Sequence, residues 1–439
     1  MLPKIKKYIP QKIFSTFQPL YHFMLAFLSA LWYRFPSRRL VVIGVTGTKG
    51  KTTVVELLHR ILTEGGYRTA SLSSLCVRIK DEIRPNEHSM TMPGRFFIQK
   101  LIHEAIHKGC THVIIETTSQ GIMQFRHRFI SFDVALVTNV APEHIEAHGN
   151  FERYIRSKLD LFWRLKPSAF AVINRDDPYA SRFVVATGAK KIFYGKHGIM
   201  IGNKEWNIKH IGACVSGIEF EIQGVLISSL LLGEFNLYNI CAAIAIALHE
   251  HVAISTIADA VSRVSEIPGR LEYIIREPFR VIVDYAHTPD SLLSIYTLLS
   301  SARAGNREKE SNERKEKLLC VLGAAGGGRD KWKRREMGKI AAAFCDEAIL
   351  TNEDSYDEDP EAILSEIEAG FSDGPRQCRI RKILDRRDAI REALLSAQKG
   401  DTVIITGKGS EQWIHGPNNQ KIPWDDKEIA REELQKLSI

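Results

Sequence analysis

The sequence predicts an α/β protein with two domains, each built on a mostly parallel β-sheet that helices cover on both faces. Short β-branched runs alternate with helical stretches along most of the chain, and this alternation is typical of parallel sheets. A chain of 439 residues is also long enough for two or three domains. We place an N-terminal segment at residues 1–39, a central domain at 40–273 and a C-terminal domain at 274–439.

The central domain opens with a strand predicted at Leu40–Val45, a continuous β-branched run that suits a buried parallel strand. A turn rich in Gly, Thr and Lys follows, and the apolar spacing of Val54–Glu64 then predicts a helix. The same pattern predicts strands at His112–Glu116, Val134–Asn139 and Phe170–Asn174, and helices at Gly94–Lys108 and Phe151–Leu165.

A second α/β series begins near residue 275. Turn residues in the junction Ile267–Arg270 (IPGR) place the domain boundary just beyond it. The stretch Ala302–Lys317 is polar and charged without periodicity, which predicts an exposed, mobile loop. The strands of this series are predicted at Arg280–Asp284, Leu318–Leu322, Glu347–Thr351 and Thr402–Thr406.

Composition and charge narrow the function only slightly. Hydrophobic residues make up 44% and charged residues 26%, as in an ordinary soluble enzyme. The formal net charge of +8 favours anionic partners. The basic runs lack interleaved aromatics and no nucleic-acid-binding motif is present, so we expect no nucleic-acid partner. Seven scattered cysteines without Cys-x-x-Cys spacing argue against a disulfide framework and a structural zinc site, and indicate a reducing cytoplasm.

The N-terminal segment contains an uninterrupted apolar run of 11 residues at Phe23–Tyr33, preceded by Lys4, Lys6, Lys7 and Lys12. A membrane-spanning helix needs about 18 residues or more, and no small-residue cleavage site follows as in a signal peptide. Two interpretations stay open: a helix packed on the central domain, and a basic, aromatic-rich helix lying on the inner membrane surface. We expect a cytoplasmic protein under either interpretation.

The segment Gly44–Thr53 (GVTGTKGKTT) predicts a phosphate-binding loop between the first strand and its helix. Gly47 and Gly50 allow backbone N–H groups to point at phosphate oxygens, and the start of the helix adds a positive partial charge. Lys51 is placed to reach the β- and γ-phosphates, and the Thr52 hydroxyl to bind Mg²⁺. The expected nucleotide contacts are Gly47, Thr48, Lys49, Gly50, Lys51, Thr52 and Thr53.

Two strand ends supply further candidates for this site. Glu116 ends one predicted strand and His144 follows another, and the carboxyl ends of neighbouring parallel strands converge where ligands bind. A carboxylate suits Mg²⁺, whereas histidine is a less usual ligand for this ion. Lys158 lies on a predicted helix, where its residue type alone indicates an ordinary surface lysine.

The loop residues Thr46–Thr53 (TGTKGKTT) resemble the ATP loop of the Mur ligases, which build the peptide of peptidoglycan precursors. Pro268–Arg270 (PGR) and Val283–Asp290 (VDYAHTPD) match further motifs in the same order, and the resemblance covers about residues 40–435. It implies a P-loop ATPase fold for the central domain and a Rossmann-like fold for the C-terminal domain. It also implies an ATP-dependent ligase that adds an amino acid through an acyl phosphate.

The resemblance assigns roles to residues. It implies that Glu116 and His144 bind one of two Mg²⁺ ions, and that Lys158 is carbamylated and becomes an anionic metal ligand. Together with Lys51, these side chains would stabilise charge during catalysis. Further nucleotide contacts are implied at Asn139, Asn236, Asn239, Arg270 and Asp284. For the two amides Asn236 and Asn239, helix capping after a glycine turn is an equally open interpretation.

Within the family the MurE type, which adds the third residue of the peptide, is the best match. The matching segments are Thr91–Pro93, Gln124–Arg126, Asp385–Arg386 and Gly407–Glu411. The implied substrate contacts are Thr91, Thr118, Ser119, Gln124, Arg126, Arg334, Glu353, Asp354, Gly407 and Glu411. For Arg334, which follows a Gly-rich turn, a helix start with exposed cations is the alternative.

Three departures from the family pattern affect the substrate. The residues before Thr46 are too few for the family's uridine-binding domain, so the carrier is expected to be UDP-linked or lipid-linked and held differently. The amino-acid selector Asp-Asn-Pro-Arg is replaced by Glu353–Tyr356 (EDSY), and Gly-Lys-Gly-His-Glu becomes Gly-Lys-Gly-Ser-Glu at Gly407–Glu411. The identity of the added amino acid is therefore left open.

The expected partners are an anionic, carrier-linked muropeptide and an amino acid, bound by a monomer. Two alternatives stay open. One keeps the chemistry with another substrate, as in folylpolyglutamate-type or cyanophycin-type ligases. The other is an ATP-binding scaffold at the membrane surface without ligase activity. An amidotransferase partner subunit would normally carry a cysteine-rich zinc ribbon, which the cysteine spacing does not provide.

Overall fold

The computed structural model of the chain describes residues 11–86, 90–143, 145–214, 217–307, 314–375 and 378–437. Two large sheets follow one another along the chain. The predicted α/β class is confirmed. The predicted site residue His144 lies outside the described residues. The domain division at residue 273 stays a prediction, and a strand of the second sheet, Glu272–Ile275, crosses it.

Over the described residues, the first sheet contains twelve strands. In chain order they are β1 (Val41–Thr46), β2 (Thr69–Leu72), β3 (Cys76–Ile79), β4 (Glu82–Pro85), β5 (His112–Glu116), β6 (Val134–Val137), β7 (Phe170–Asn174), β8 (Lys190–Gly195), β9 (Gly198–Ile201), β10 (Lys204–Cys214), β11 (Gly217–Ile222) and β12 (Val225–Ser229). The central strands β2, β5, β1, β6, β7 and β8 pair in parallel in that order. Antiparallel strands β9–β12 and β3–β4 extend the two edges, and the sequence reading did not predict them.

Helices bury the first sheet on both sides, because its central strands are apolar on both faces. The helices are α1 (Gln11–Trp32), α2 (Lys51–Glu64), α3 (Arg95–His107), α4 (Ser119–Met123), α5 (Ile145–His148), α6 (Phe151–Trp163), α7 (Ala180–Val185), α8 (Glu234–His249) and α9 (Ile254–Ser262). One core lies between the sheet and α2, α8 and α9, and the other between the sheet and α3, α6 and α7. The phosphate-loop strand β1 is therefore held at the centre of the domain.

The second sheet contains six strands in the order β13-β14-β18-β15-β16-β17. They are β13 (Glu272–Ile275), β14 (Arg280–Asp284), β15 (Leu318–Leu322), β16 (Glu347–Leu350), β17 (Arg379–Lys382) and β18 (Thr402–Thr406), followed by the hairpin β19 (Trp413–His415) and β20 (Lys421–Pro423). The helices are α10 (Pro289–Arg307), α11 (Trp332–Phe344), α12 (Pro360–Glu368), α13 (Arg386–Ser396) and α14 (Asp426–Lys436). Apolar cores lie on both faces of this sheet as well.

Two expectations for the C-terminal region need correction. The loop predicted at Ala302–Lys317 is wrong for its first part, because α10 continues to Arg307; residues 308–313 lie outside the described part of the chain. The cysteine pattern argued against disulfides, but Cys320 on β15 and Cys345 after α11 form a disulfide with a Cα–Cα distance of 6.2 Å. The odd, scattered cysteine count could not show this pair, because sequence spacing does not give spatial proximity.

The N-terminal helix α1 packs on α3 through Ala26, Ser29 and Ala30, which are buried. Phe23 and Phe27 lie edge-on against Phe129, with ring centroids 5.2 and 5.4 Å apart. The first of the two predicted interpretations, packing against the central domain, thus describes one face of the helix. Across the described residues, no helix combines the length and the hydrophobicity needed to cross a bilayer.

Candidate active site

The predicted phosphate loop connects β1 to α2. Gly47 and Gly50 adopt φ of 147° and 80°, and a Cβ added at Gly50 would lie 2.1 Å from Oδ1 of Asn239. Only glycine fits such positions without strain. Asn139 braces the loop from β6, because its carbonyl accepts from Thr48 N at 2.8 Å and its Oδ1 accepts from Lys49 N at 2.9 Å. The loop backbone is thus held in a fixed, open shape.

An oxygen cluster lies where α2 begins and β5 ends. Thr52 Oγ1 donates to Glu116 Oε2 at 3.0 Å, and Ser74 N donates to the same oxygen at 2.9 Å. Both Thr52 and Glu116 are buried. Parallel strand ends therefore do bring Glu116 to the loop, as the sequence predicts.

Oxygen ligands of this kind suit Mg²⁺, which usually takes one or two protein carboxylates and completes its shell with phosphate oxygens and water. Among the described residues, no cluster of three or more His, Cys, Asp or Glu side chains is arranged to hold a metal. Thr52 and Glu116 nevertheless fit a magnesium ion shared with a nucleotide. Their role as ligands, and that of His144, stay predictions.

The buried Lys158 and the half-buried Lys51 point at carbonyls of the loop. Lys158 Nζ donates to Gly47 O at 2.7 Å and Lys51 Nζ to Thr48 O at 2.8 Å. Burial lowers the pKa of Lys158 well below its ordinary value, and the nearby Lys51 lowers it further. Burial also lowers the pKa of Lys51, although Glu116 opposes the effect. A loop lined by desolvated cations is short of negative charge, which a nucleotide triphosphate supplies.

A contact between the two halves of the chain closes over the loop. Lys49 Nζ lies 2.8 Å from Glu143 Oε1, and His287 Nε2 lies 3.5 Å from the same oxygen. Burial lowers the pKa of His287 to about 4. Asp330 Oδ1 accepts from Glu146 N at 3.1 Å. The sequence did not lead us to select Glu143 or His287, although His287 lies inside the matching segment Val283–Asp290.

Arg270 precedes β13, and Asp284 ends the neighbouring strand β14. Asp284 accepts from Leu271 N at 2.7 Å and from Ala286 N at 2.6 Å, which fixes the turn after the strand. The Arg270 guanidinium lies over the Tyr285 ring, 4.4 Å from its centroid. Arg270 also contributes to the lowered pKa of Lys51. The predicted nucleotide-contacting arginine is therefore close enough to the loop to act on its charge.

The amides at the start of α8 form a hydrogen-bonded pair, of which Asn239 lies against the phosphate loop. Asn236 Nδ2 donates to Leu232 O and Asn239 Nδ2 donates to Asn236 Oδ1, each at 2.8 Å. Gly233 occupies the N-cap position. Asn239 lies against Gly50, so the two amides form a buried link between α8 and the phosphate loop. Their predicted contact with adenine stays a prediction.

The predicted muropeptide contacts gather around α4. Thr118 Oγ1 accepts from Gly121 N at 3.1 Å and caps this helix, while Ser119 Oγ lies 3.1 Å from His148 Nε2. Arg126 Nη2 donates to Gln124 Oε1 at 2.6 Å. Thr91 lies in the preceding segment and is half-buried. Thr118, Ser119, Gln124 and Arg126 thus lie on or next to α4, and their contact with substrate stays a prediction.

The predicted amino-acid contacts form a dense ion-pair cluster in the C-terminal half. Lys408, which the sequence reading did not select, lies 2.8 Å from Asp354 Oδ1 and 2.6 Å from Glu411 Oε2. These carboxylates raise the pKa of Lys408 in spite of its burial. Glu353 lies against Gly407, and burial raises the pKa of its carboxyl group.

Arg334 is placed differently from its predicted substrate contact. Its side chain is buried, with Nη2 3.1 Å from Glu358 Oε2 and Nη1 2.8 Å from Glu366 Oε2. These pairs join α11 to the α12 region. A contact between Arg334 and substrate therefore stays a prediction that needs these pairs to open.

Comparison with known proteins identifies the family. Residues 45–247 match the Mur ligase middle domain, and residues 269–409 match the glutamate ligase domain of Mur ligases. A UDP-N-acetylmuramoyl-L-alanyl-D-glutamate–2,6-diaminopimelate ligase of Syntrophomonas wolfei subsp. wolfei is 35% identical, with 93% of this chain and 81% of that protein covered. The protein of the same name from Geobacillus kaustophilus is 34% identical, with the same coverage of 93% and 81%.

Solved structures agree. A ligase of the same name superposes with a TM-score of 0.58 at 28% identity, covering 91% of this chain and 79% of that one. Folylpolyglutamate synthase of Mycobacterium tuberculosis, solved with ADP and AMPPCP, has a TM-score of 0.68 at 17% identity, over 88% of this chain and 92% of that one. At that identity the second likeness concerns the fold alone. The predicted resemblance is confirmed: the chain belongs to the Mur ligase family and is an ATP-dependent amide ligase.

Proposed function

We propose that the chain joins an amino acid to the peptide of a peptidoglycan precursor, with UDP-MurNAc-dipeptide or a related carrier-linked muropeptide as the acceptor of phosphate. The observation that carries the proposal is the cluster of Thr52 and Glu116 beside the cations Lys51 and Lys158 at the phosphate loop. The printed names of the relatives describe ligases of UDP-N-acetylmuramoyl peptides, which supports this substrate class.

The reaction follows from the arrangement of charges. A carboxylate oxygen of the muropeptide attacks the γ-phosphorus of ATP, an O–P bond forms, the bond to the β–γ bridging oxygen breaks, and ADP leaves. The amine of the amino acid then attacks the acyl carbon, loses a proton, and displaces inorganic phosphate. Loop N–H groups and Lys51 offset the negative charge that gathers in the first step. The contact between Glu143 and His287 holds the two halves together, which keeps water from the acyl phosphate.

Magnesium and the carbamate belong to this proposal. Thr52 and Glu116 would hold an Mg²⁺ ion, with His144 as a further ligand and a second ion near Lys158; such ions neutralise phosphate charge. Burial lowers the pKa of Lys158 well below its ordinary value, which favours the neutral amine, and a neutral amine adds to CO₂ with loss of a proton. The resulting carbamate is anionic and would turn a buried cation into a metal ligand.

The remaining predicted contacts also stay within the proposal. Asn139, Asn236, Asn239, Arg270 and Asp284 would contact the nucleotide, and the residues around α4 and Lys408 the muropeptide and the amino acid. The central and C-terminal domains would then meet at the nucleotide, with a boundary near residue 273. The protein would act as a monomer, since residues of one chain supply both halves of the site.

We further propose a cytoplasmic location with peripheral membrane contact through α1. Its outward face exposes large apolar side chains, with Trp32 76% and Phe17 61% accessible, together with Leu20, Met24, Leu28 and Leu31. Arg34, Arg38 and Arg39 are exposed just beyond it. An apolar face beside cations suits an anionic bilayer surface. Flotation with anionic vesicles tests this contact. Leu28→Glu should abolish vesicle binding, whereas Leu226→Glu, at a similarly exposed leucine, should not. If Leu28→Glu still bound the vesicles, the proposal would be contradicted.

The ligase proposal is tested by phosphate release from ATP with UDP-MurNAc-dipeptide and a panel of amino acids. We expect turnover that requires both cosubstrates, which also identifies the added amino acid. ATP hydrolysis that is indifferent to both cosubstrates would contradict the proposal and favour an ATP-binding scaffold. Turnover with a folate or a poly-aspartate acceptor instead would assign the chemistry to another substrate.

A further inference from the structure

Two arginines lie together where α1 crosses the muropeptide-contacting segment. Arg95 donates through Nη2 to the carbonyl of Gln124, and Arg126 donates through Nη2 to the Oε1 of the same residue at 2.6 Å. Arg126 Nη1 also donates to the carbonyl of Met92. Gln124 therefore holds two guanidinium groups side by side, although like charges repel one another.

No acidic side chain compensates this pair within the described part of the chain. The ion pairs found there include neither Arg95 nor Arg126, and each side chain carries a buried Nε without a hydrogen-bond partner. Burial and the neighbouring Arg126 lower the pKa of Arg95 to about 10. Buried nitrogen donors usually have partners in folded proteins, so the two Nε atoms without a partner and the uncompensated charge of the pair favour the binding of an external anion.

The helix α1 places a third side chain, His22, beside the two arginines. His22 lies close enough to both arginines that they, together with burial, lower its pKa to about 4. Its Nε2 lies 3.3 Å from Gln18 Nε2, while Nδ1 is buried without a partner. Tyr21, next to it, is exposed and acts electrostatically on Arg95. The group formed by His22, Arg95 and Arg126 is called the arginine pocket below.

The position of the arginine pocket indicates which end of the substrate it meets. Glu116 ends β5, and α4 runs from Ser119 to Met123 directly toward Gln124. A helix of five residues is about 8 Å long, so the arginine pocket lies beyond the far end of α4 from the catalytic oxygens. A muropeptide whose carboxylate is at Glu116 would extend its carrier end toward α1.

We propose that the arginine pocket binds the diphosphate of the muropeptide carrier. This rests on the proposed function, since it names how that substrate is held. Two fork-shaped guanidinium groups match the several oxygens and charges of a diphosphate better than the single charge of a carboxylate. The same chemistry serves a nucleoside diphosphate carrier and a polyprenyl diphosphate carrier, and the experiment separates them.

Steady-state kinetics with Arg95→Gln tests the proposal, because Arg95 lies outside the catalytic cluster. We expect KM for the carrier-linked dipeptide to rise about 10- to 100-fold, with kcat nearly unchanged. MurNAc-dipeptide, which lacks the diphosphate, should react equally poorly with the wild-type enzyme and with Arg95→Gln. The control Lys100→Gln removes an exposed cation from the same helix α3 and should leave KM unchanged.

Two carriers distinguish the source of the diphosphate. UDP-MurNAc-dipeptide is supplied in solution, and polyprenyl-diphosphate-MurNAc-dipeptide in phosphatidylcholine vesicles. The natural carrier is the one whose KM is higher with Arg95→Gln than with the wild-type enzyme. An active wild-type enzyme whose KM for both carriers is the same in Arg95→Gln would overturn the proposal.

A binding measurement decides the matter even without turnover. Inorganic diphosphate is titrated into the full chain while the His22 imidazole is followed by NMR. We expect a bound anion to raise the pKa of His22 from its value of about 4, and Arg95→Gln to remove the effect. If the pKa of His22 in the wild-type protein did not change on addition of diphosphate, the diphosphate proposal would be contradicted. If it changed but the protein showed no turnover, the arginine pocket would be supported and the ligase proposal refuted.

Discussion

Lysines withdrawn from solvent have different partners, and oppositely shifted pKa values, in the two halves of the chain. At the phosphate loop, Lys51 and Lys158 donate to backbone carbonyls and have lowered pKa values. In the C-terminal half, Lys408 is as deeply buried as Lys158, but Asp354 and Glu411 lie within 2.8 Å and raise its pKa. Within the described residues neither Lys51 nor Lys158 forms an ion pair with a carboxylate, whereas Lys408 forms two.

The difference separates a place built for a ligand from a place built by the fold. Desolvated cations without carboxylates are costly, and a bound triphosphate removes that cost. A lysine paired with two carboxylates needs no further anion, so the Lys408 cluster instead fixes the shape of the surface around Glu353 and Glu411. Removing a charge at the loop is therefore expected to reduce catalysis. Removing a charge from the C-terminal cluster is expected to lower the free energy of unfolding.

The largest expected effect is on catalysis at the loop. Lys158→Ala should lower turnover by more than about a thousandfold, since it removes a charged group from the reacting phosphate. Lys158→Arg should be equally inactive, because a guanidinium does not form a carbamate. ADP production measures both variants, and bicarbonate with short carboxylates should partly restore Lys158→Ala. Lys166→Ala, an exposed lysine just after α6, is the control; normal turnover in Lys158→Ala would remove this residue from the site.

The next effect is on stability in the C-terminal half. Lys408→Met leaves Asp354 and Glu411 without their cation, which should cost about 3 kcal/mol of the free energy of unfolding. Urea denaturation measures it, and the exposed Lys399→Met is expected to change little. An unchanged midpoint in Lys408→Met would show that the cluster does not stabilise the fold, and would break the contrast with the loop.

ATP should stabilise the loop region in a Lys51-dependent manner. At a hundredfold excess over Kd, a ligand that binds only the folded state adds about 2.7 kcal/mol. We expect Mg·ATP to raise the Tm of the wild-type protein and of Lys408→Met, provided that the latter is folded. Lys51→Ala should lose this rise while keeping its own Tm without nucleotide. A full ATP-dependent rise in Lys51→Ala would show that the cation is not needed for nucleotide binding.

The smallest effect concerns acid stability at the contact between the halves. The pKa of His287 is about 4 in the folded protein, below its ordinary value, so the unfolded chain binds the proton first as the pH falls. Stability is therefore lost between about pH 6.5 and 4, by about 1 kcal/mol at pH 5.5. His287→Gln should reduce this loss, measured as the free energy of unfolding at pH 7.5 and 5.5. The exposed His197→Gln should not reduce this loss. If His287→Gln lost as much free energy of unfolding between pH 7.5 and 5.5 as the wild-type protein, His287 would not be the group that causes the loss.

Local patterns were sufficient for the parallel framework. Five strands, among them β5 and β14, begin and end where the sequence predicts, because buried parallel strands are short continuous apolar runs bounded by turns. The phosphate loop was predictable for a similar reason, since it needs glycine at positive φ and a lysine at the helix start. The roles of its individual side chains stay predictions.

Other features depend on contacts that a local pattern does not contain. The pairing of Lys408 with Asp354 joins residues 54 positions apart, and that of His287 with Glu143 joins the two halves. The helix α10 continues into Ala302–Arg307 without apolar periodicity, because extending a formed helix costs little. For β10 a signal was present: Trp206 and Ile208 are buried and alternate with polar residues.

A structure with Mg²⁺ and a non-hydrolysable ATP analogue tests the central claim most directly. We expect the γ-phosphate beside Lys51, a metal ion bound by Thr52 and Glu116, and extra density on the Lys158 amine. Glu116 would then exchange its contact with the Thr52 hydroxyl, now 3.0 Å long, for the metal. A γ-phosphate far from Lys51, with Glu116 still bonded to Thr52 and Ser74 and no metal nearby, would contradict the account.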